Sequence, residues 1–313
     1  QELEGVPEYT TILGASRIMG STSSGINYGF IGALTAEESA THVDSLGNRK
    51  NIVVEPMTNY SIGRIEVPMI NKVSRFGIMT TNVSRKNNPG ANVIGADWAL
   101  GFYDNRLYTS GQLIQSKTNH IIGNAYIFRF GYLDSKWWSI RFWHGNSNEK
   151  FDINDLGYIR RSGNSYIGGK LELRKQEPWG RFINNNLELK VDQRWNQDGL
   201  VIARGVDIEQ DNLFSNYWSM GLFGKIFLPA YEDGDIFRND NAWAYKTELW
   251  GYAGPRFTTD RRKKVVIESS IGLGYGKNRG HGYRANLELE INTIEALNIE
   301  IEAMQDKSPN YMQ

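Results

Sequence analysis

Bulky apolar residues alternate strictly with small or polar ones along this chain, in runs of about ten residues at a time. Between Asn92 and Phe102, one set holds Ile94, Ala96, Trp98, Leu100 and Phe102, and the other holds Gly95, Asp97, Ala99 and Gly101. His120 to Tyr132 repeats the pattern, with Tyr126, Phe128, Phe130 and Tyr132 opposite Gly123, Ala125, Arg129 and Gly131. Beyond a turn at Asp134–Lys136, Trp138, Ile140 and Phe142 oppose Ser139 and Arg141. Successive side chains of a strand point to opposite faces, so each run predicts a strand with one apolar and one polar face.

Later runs place more charge on the polar face. Leu187, Leu189 and Val191 alternate with Glu188, Lys190, Asp192 and Arg194, and Tyr283, Leu287, Leu289 and Ile291 alternate with Arg284, Glu288 and Glu290. Further apolar faces run through Trp218, Met220, Leu222, Ile226 and Leu228, and through Val265, Ile267, Ile271, Leu273 and Tyr275. Strands of globular proteins average about 5–6 residues, whereas a tilted strand needs roughly 9–11 to cross a bilayer. The run length therefore favours an all-β fold, an antiparallel up-and-down transmembrane β-barrel, over a sandwich.

Hydropathy agrees once the alternation is known. The mean hydropathy of −0.48 looks soluble, but only every second residue of a barrel strand faces lipid. No apolar run approaches the roughly 18 residues of a spanning helix. Gln1–Glu4 is polar, so any leader has been removed. The 33 Gly disfavour helices, and the 16 Tyr, 13 Phe and 9 Trp suit strands and membrane interfaces. Zero Cys excludes a disulfide scaffold, a cysteine zinc site and a cysteine nucleophile. Thirty-five basic residues balance 35 acidic ones, which gives no reason to expect a nucleic-acid partner.

Turn signals alternate in length. One set of connections is short: Gly20–Gly25, Pro68–Lys72, Asp104–Arg106, Asp134–Lys136, Lys175–Pro178, Gln210–Leu213 and Thr259–Arg262. The other includes Ala36–Val54, Asn146–Asn164 and Pro229–Asn241, as expected for periplasmic turns and outer loops. The count gives about sixteen strands, the last at Leu297–Met304, within one barrel domain over residues 1–313. The first strand starts and the last ends on the long-loop side, which predicts about eighteen strands in a full protein and truncation at both ends. The tail Lys307–Gln313 also lacks a terminal aromatic.

Four stretches, Ile12–Glu38, Glu55–Glu66, Gly95–Tyr108 and Phe151–Arg161, together resemble an uncharacterised family of bacterial surface proteins. In that family a family-9 carbohydrate-binding-like β-sandwich precedes a large C-terminal barrel-like domain. The resemblance spans about Thr11 to the 280s, and it implies an outer-membrane location and an association with glycan. The carbohydrate-binding-like domain is absent from this chain, and the family supplies no catalytic residues to carry over.

Candidate lumen-facing residues are Asp97, Arg129, Arg141, Glu188, Lys190, Asp192, Arg194, Glu248, Arg284, Glu288 and Glu290, with Lys246, Glu268, Glu300 and Glu302 beside them. They read first as cross-strand ion pairs filling a lumen, and second as charges that select solutes in a pore. Asp152, Asn154 and Asp155 offer oxygens for Ca²⁺, but an Asx-turn is preferred because the full cation-loop pattern is missing. Glu232, Asp233, Asp235 and Asp240 read as a solvated loop, and Tyr231 and Phe237 as loop aromatics able to meet a ligand. Most other aromatics read as an interfacial girdle.

Carboxylates two apart, such as Glu288 and Glu290, recur in any strand and do not define a glycosidase. His42, His120, His144 and His281 lack metal-ligand spacing, and no nucleophile elbow or phosphate loop appears. The sequence thus leads us to expect no enzyme, no cofactor and no metal. It predicts a bacterial outer-membrane barrel, porin-like or glycan-associated, with a polar lumen. Its partners would be outer-membrane lipid, a glycan and other outer-membrane proteins. Two alternatives stand beside it: an accessory barrel in a larger complex, and a soluble secreted protein that binds or cleaves polysaccharide.

Overall fold

The computed structural model describes residues 2–133, 136–234, 244–277, 280–294 and 297–307. The chain divides into two compact units, one holding residues 1–102, 108–128 and 145–164, the other 103–107, 129–144 and 165–313.

In the first unit lie β1 (Glu2–Glu4), β2 (Ile12–Ser21), β3 (Asn27–Thr35), β4 (Glu38–Val43), β5 (Arg49–Glu55), β6 (Thr58–Pro68), β7 (Arg75–Arg85), β8 (Asn88–Phe102) and nearly all of β9 (Leu107–Thr118). The division runs through β10 (Ile121–Leu133) and β11 (Trp138–Ser147). The second unit then takes β12 (Asn164–Lys175), β13 (Phe182–Asn196), β14 (Val201–Phe214), β15 (Ser219–Phe227), β16 (Ala230–Glu232), β17 (Tyr245–Thr247), β18 (Trp250–Thr258), β19 (Val265–Gly276), β20 (Gly280–Ile294) and β21 (Leu297–Lys307).

Sixteen of these strands form one antiparallel sheet, in chain order from β2 to β21 with β4, β5, β16 and β17 left out. Each is between 9 and 15 residues long, the range the alternation calls for. β1, β4 and β5 make a separate three-stranded sheet, and β16 pairs with β17. The stretch read from sequence as the loop Ala36–Val54 is thus largely a hairpin of its own.

The connections refine the sequence reading. Residues 22–26, 69–74, 103–106, 176–181, 215–218 and 259–264 are short links, as expected. The turn placed at Gln210–Leu213 lies instead at 215–218, because β14 continues to Phe214. Its polar residues are ladder positions: Asp211 pairs with Gly221 and Asn212 with Met220. The alternate links are mixed. Residues 36–57, 148–163 and 228–249 are long, but 86–87, 119–120 and 197–200 are tight hairpins. At those hairpins Asn87, Asn119 and His120 take positive φ, a conformation that Asn tolerates better than most residues.

The distribution of exposure is unlike that of a globule. Among the described residues, the buried hydrophobic side chains are Ala40, Val83, Ala91, Phe151, Ala230 and Val266. Large apolar side chains line the exposed face instead: Leu222, Leu273 and Tyr275 are 57, 65 and 58% exposed. The opposite face carries the charged residues, which are mostly half-buried and engaged with one another.

Candidate functional site

The polar face is organised by charge pairs that reach across an intervening strand. In the first unit Gly77 of β7 is in register with Glu66 of β6 and with Asp97 of β8. Arg64, two residues before Glu66 and so on the same face, extends over Gly77 and grips Asp97 with two bonds, Nη1 to Oδ2 at 2.8 Å and Nη2 to Oδ1 at 2.9 Å. This fork is the strong geometry for a guanidinium and a carboxylate. Glu66 joins through Arg64 at 3.1 Å, Arg75 at 3.1 Å and the Asn27 amide at 3.2 Å. A Cβ on Gly77 would sit 2.8 Å from both Arg64 Nη2 and Asp97 Oδ2, so the glycine leaves the crossing open.

The second unit repeats the device. Gly221 of β15 is in register with Asp211 of β14 and Arg256 of β18. Arg256 Nε donates to Asp211 Oδ1 at 2.8 Å, its Nη2 pairs with Asp211 Oδ2, and Nη2 also reaches Glu209 at 3.1 Å. Nearby, Asp207 stands in register between Lys190 and Lys225, and its Oδ2 accepts from them at 3.4 and 3.3 Å. Individually such half-exposed pairs contribute about 0–1 kcal/mol. Collectively they satisfy a face that would otherwise hold unpaired charge.

The long link 148–163 lies on the polar face of the first unit. Its base is closed by Gly163 N–H donating to the Asn148 carbonyl at 3.2 Å, and Asn148 itself bonds to Asn124. The backbone of Lys150 and Phe151 occupies the space a side chain on Gly123 would need. Phe151 is buried, Asp152 N–H donates to the buried Ser116 hydroxyl at 3.0 Å, and Asp155 pairs with Arg85 of β7. Asp152 Oδ1 accepts from Asn154 N–H at 3.0 Å, and Asn154 Oδ1 accepts from Ile159 N–H at 2.9 Å. The first is an Asx-turn, as preferred from the sequence, and the second bond spans five residues to brace the link. Ile153, Leu156 and Gly157 share a cavity of about 200 Å³ with Arg64 and Asp97.

The remaining sequence candidates fall into place unevenly. Glu188 pairs with Lys170, Lys190 also reaches Asp192 at 3.6 Å, Arg194 lies 5.8 Å over the Tyr166 ring, and Arg284 reaches Asp306 at 3.3 Å. Glu288 is in register with Glu268 and Glu302, and Glu290 with Glu300, so carboxylates face one another across β19–β21. Arg261 pairs with Glu268 at the end of that row. Arg129 and Arg141 form no ion pair among the described residues. Glu248 is not on a strand of the large sheet but between β17 and β18, 4.0 Å from Lys277, and Lys246 is on β17 opposite Tyr231. Alternation alone cannot tell a polar residue of a short outlying hairpin from one in the sheet. Tyr231 is exposed on β16, and Phe237 lies outside the described residues. No three acidic or histidine side chains converge on a metal-sized space among the described residues.

Several network residues escaped the sequence reading: Arg64, Glu66, Arg85, Asp207, Asp211 and Arg256. For some of them the signal was available: Asp207 and Asp211 are in phase with Gly205 on β14, and Arg256 with Gly254 on β18, whereas Arg64 and Glu66 share their phase with Tyr60 and Ile62 on β6. Outside the sheet, the link 259–264 is closed by Arg262, which donates to Asp260 from Nε at 2.8 Å, from Nη2 at 2.8 Å and from its backbone N–H at 3.0 Å. These bonds hold the Asp260 carboxyl down at about 2. The Arg262 guanidinium also lies 3.1 Å from the centre of the Tyr217 ring, tying this link to 215–218.

Fold and site together define an all-β protein built on a large antiparallel sheet, with one face apolar and the other crossed by ion-pair networks. Residues 1–312 match the Domain of unknown function (DUF5916), and the chain belongs to that family. No curated protein and no solved structure matches it.

Proposed function

We propose that the chain forms a transmembrane barrel of the bacterial outer-membrane type, acting as a porin-like surface component with a polar lumen. The observation that carries this reading is the inverted exposure. A Leu, Ile or Phe left fully exposed in water forgoes about 1.5–3 kcal/mol of burial, and the strands of this chain carry many large apolar side chains about half exposed, among them Leu113 at 56%, Ile226 at 45% and Ile271 at 50%. A bilayer supplies the missing burial, and the strand lengths suit its thickness. The polar face carries both signs of charge, and many of its charges are paired, which suits a lumen without a strong overall preference for anions or cations.

The seated link 148–163 favours a second version, in which the lumen is partly plugged and the barrel serves within a larger surface complex. A soluble secreted protein fits neither the exposed apolar faces nor the small buried core. Fractionation tests the shared part: the chain is expected in outer membranes and to require detergent, and recovery as a detergent-free soluble monomer would sink both barrel versions. Planar-bilayer recording separates the two. Steady conductance supports the open pore, whereas none from folded protein, with stoichiometric partners copurifying in mild detergent, supports the accessory barrel.

A further inference from the structure

The polar face of the second unit contains a cavity of about 600 Å³ along β14–β21, within the size range of small-ligand sites. Its walls differ in chemistry. On one side stand rings from β15 and β18. Phe223, Trp250 and Tyr252 line it, with Tyr252 6.2 Å from Trp250 and 6.2 Å from Phe223, and Phe227, outside the lining, stacks on Trp250 at 3.9 Å with 4° between planes. The apolar strand faces account for most aromatics of the sheet, so a row of rings on the charged face needs its own reason. Two other rings on that face are covered from within the protein: Trp143 fills the space at Gly168, and Tyr166 lies under Arg194. Tyr252, by contrast, is 38% exposed.

Beside the rings the sheet is paved with glycine. Tyr252 is in register with Gly274 of β19, and Gly274 with Gly282 of β20. A Cβ on Gly272 or Gly274 would meet nothing closer than 3.4 Å, so packing does not demand glycine there. The absence of side chains leaves a trough against the ring edges. Across it on β20 lie hydrogen-bonding groups already fixed by partners, Arg284 by Asp306 and Asn286 by Ser270, and further along the ring strand Arg256 is fixed by Asp211. Its lining carries Asp207, Glu209 and Asp306 against Lys225, Arg256, Arg284 and Lys307, all but Lys307 in ion pairs, so the trough has no large excess of either sign.

We infer that this trough binds neutral oligosaccharide. Sugar rings present flat C–H faces that pack on aromatic rings and hydroxyls that both donate and accept, and the fixed side chains opposite offer partners of both kinds. A charged ligand would compete with the ion pairs already formed by Arg256 and Arg284. The inference deepens the porin-like reading by naming the class of solute, but it concerns a site on the folded sheet and stands whether or not the chain conducts.

The test uses the full chain folded in detergent micelles and four neutral probes: maltohexaose, cellohexaose, mannohexaose and xylohexaose. Saturation-transfer NMR is expected to show binding of at least one. Trp250→Ala and Tyr252→Ala are each expected to weaken that Kd at least ten-fold, and Gly274→Leu to abolish binding by filling the trough. Trp218→Ala, on the apolar face, is expected to leave it unchanged. Heat-modifiable gel mobility identifies the variants that have folded, and Gly274→Ala with a less than three-fold effect controls for loss of glycine alone. Transfer to none of the four hexaoses, or equal binding by the Trp250→Ala/Tyr252→Ala double variant, would overturn the proposal. Failure of the membrane reading is seen separately, as solubility without detergent.

Discussion

The Arg64–Asp97 crossing of the first unit and the Asp211–Arg256 crossing of the second use one arrangement in two settings. In each, an arginine and an aspartate two strands apart meet over a glycine on the strand between them. The first shares its cavity with Ile153, Leu156 and Gly157 of the link 148–163, and its Asp97 side chain is 26% exposed. The second borders the sugar-sized trough, and its Asp211 side chain is 42% exposed. The glycine is common to both, so it is the requirement of the crossing itself. The covering is separate, supplied by a long connection in one unit and left off in the other. An ion pair is worth more where water is excluded, provided its remaining polar atoms are satisfied. The first crossing should therefore contribute more to stability than the second.

The largest expected effect comes from removing the cover. Gly123→Leu places a side chain where the backbone of Lys150 and Phe151 runs, and should destabilise the folded chain by about 3 kcal/mol, read as the urea midpoint in micelles. An unchanged midpoint would mean that the link is not seated as described. Next come the crossings. Arg64→Met should cost about 2 kcal/mol and Arg256→Met about 1 kcal/mol. An equal or reversed order would break the contrast between covered and open settings. In an Arg64→Met background the cost of Gly77→Val should shrink, because the added methyls no longer displace a guanidinium.

A smaller effect is expected from Asp155→Asn, which loosens the tie to Arg85. About 1 kcal/mol should appear as faster proteolysis within 148–163, with the global midpoint little changed. Cleavage at the wild-type rate would show that the pair does not hold the link. The smallest effect concerns pH. Asp260 titrates lower in the folded chain, at about 2, than in the unfolded one, so its stabilising contribution is complete above about pH 4 and is lost as pH falls through about 2. The difference in midpoint between wild type and Asp260→Asn should accordingly narrow as pH falls from 5 to 2.5. A constant difference would remove the carboxylate from the account.

The strands were legible because their pattern is local. Ile94, Trp98 and Leu100 against Gly95 and Asp97 need only a period of two to be read, and the sixteen-stranded antiparallel sheet follows. Polar ladder residues were harder. Gln210–Leu213 has the composition of a turn, yet Asp211 is there to meet Arg256, which is 45 residues away in sequence. Glu248 shows the reverse error, a charged residue in phase with its neighbours that belongs to a link. The partners of Asp97 and the seat of Phe151 depend on strand register and on how a long connection folds back, and neither is written in any one segment. Asp152 and Asn154 were readable as a turn because their bonds span only a few residues.

The crossings over Gly77 and Gly221 also bear on how this sheet avoids misassembly. A slip of one residue between neighbouring strands would turn charged side chains onto the apolar face and is strongly disfavoured. A slip of two restores the inside-outside pattern, so hydrophobicity alone barely opposes it. Arg64 meets Asp97 only when both hairpins on either side of β7 are aligned, and Asp211 meets Arg256 only when both neighbours of β15 are. Each pair therefore works as a vernier, checking two alignments at once and rejecting the even-numbered errors that the apolar face would accept.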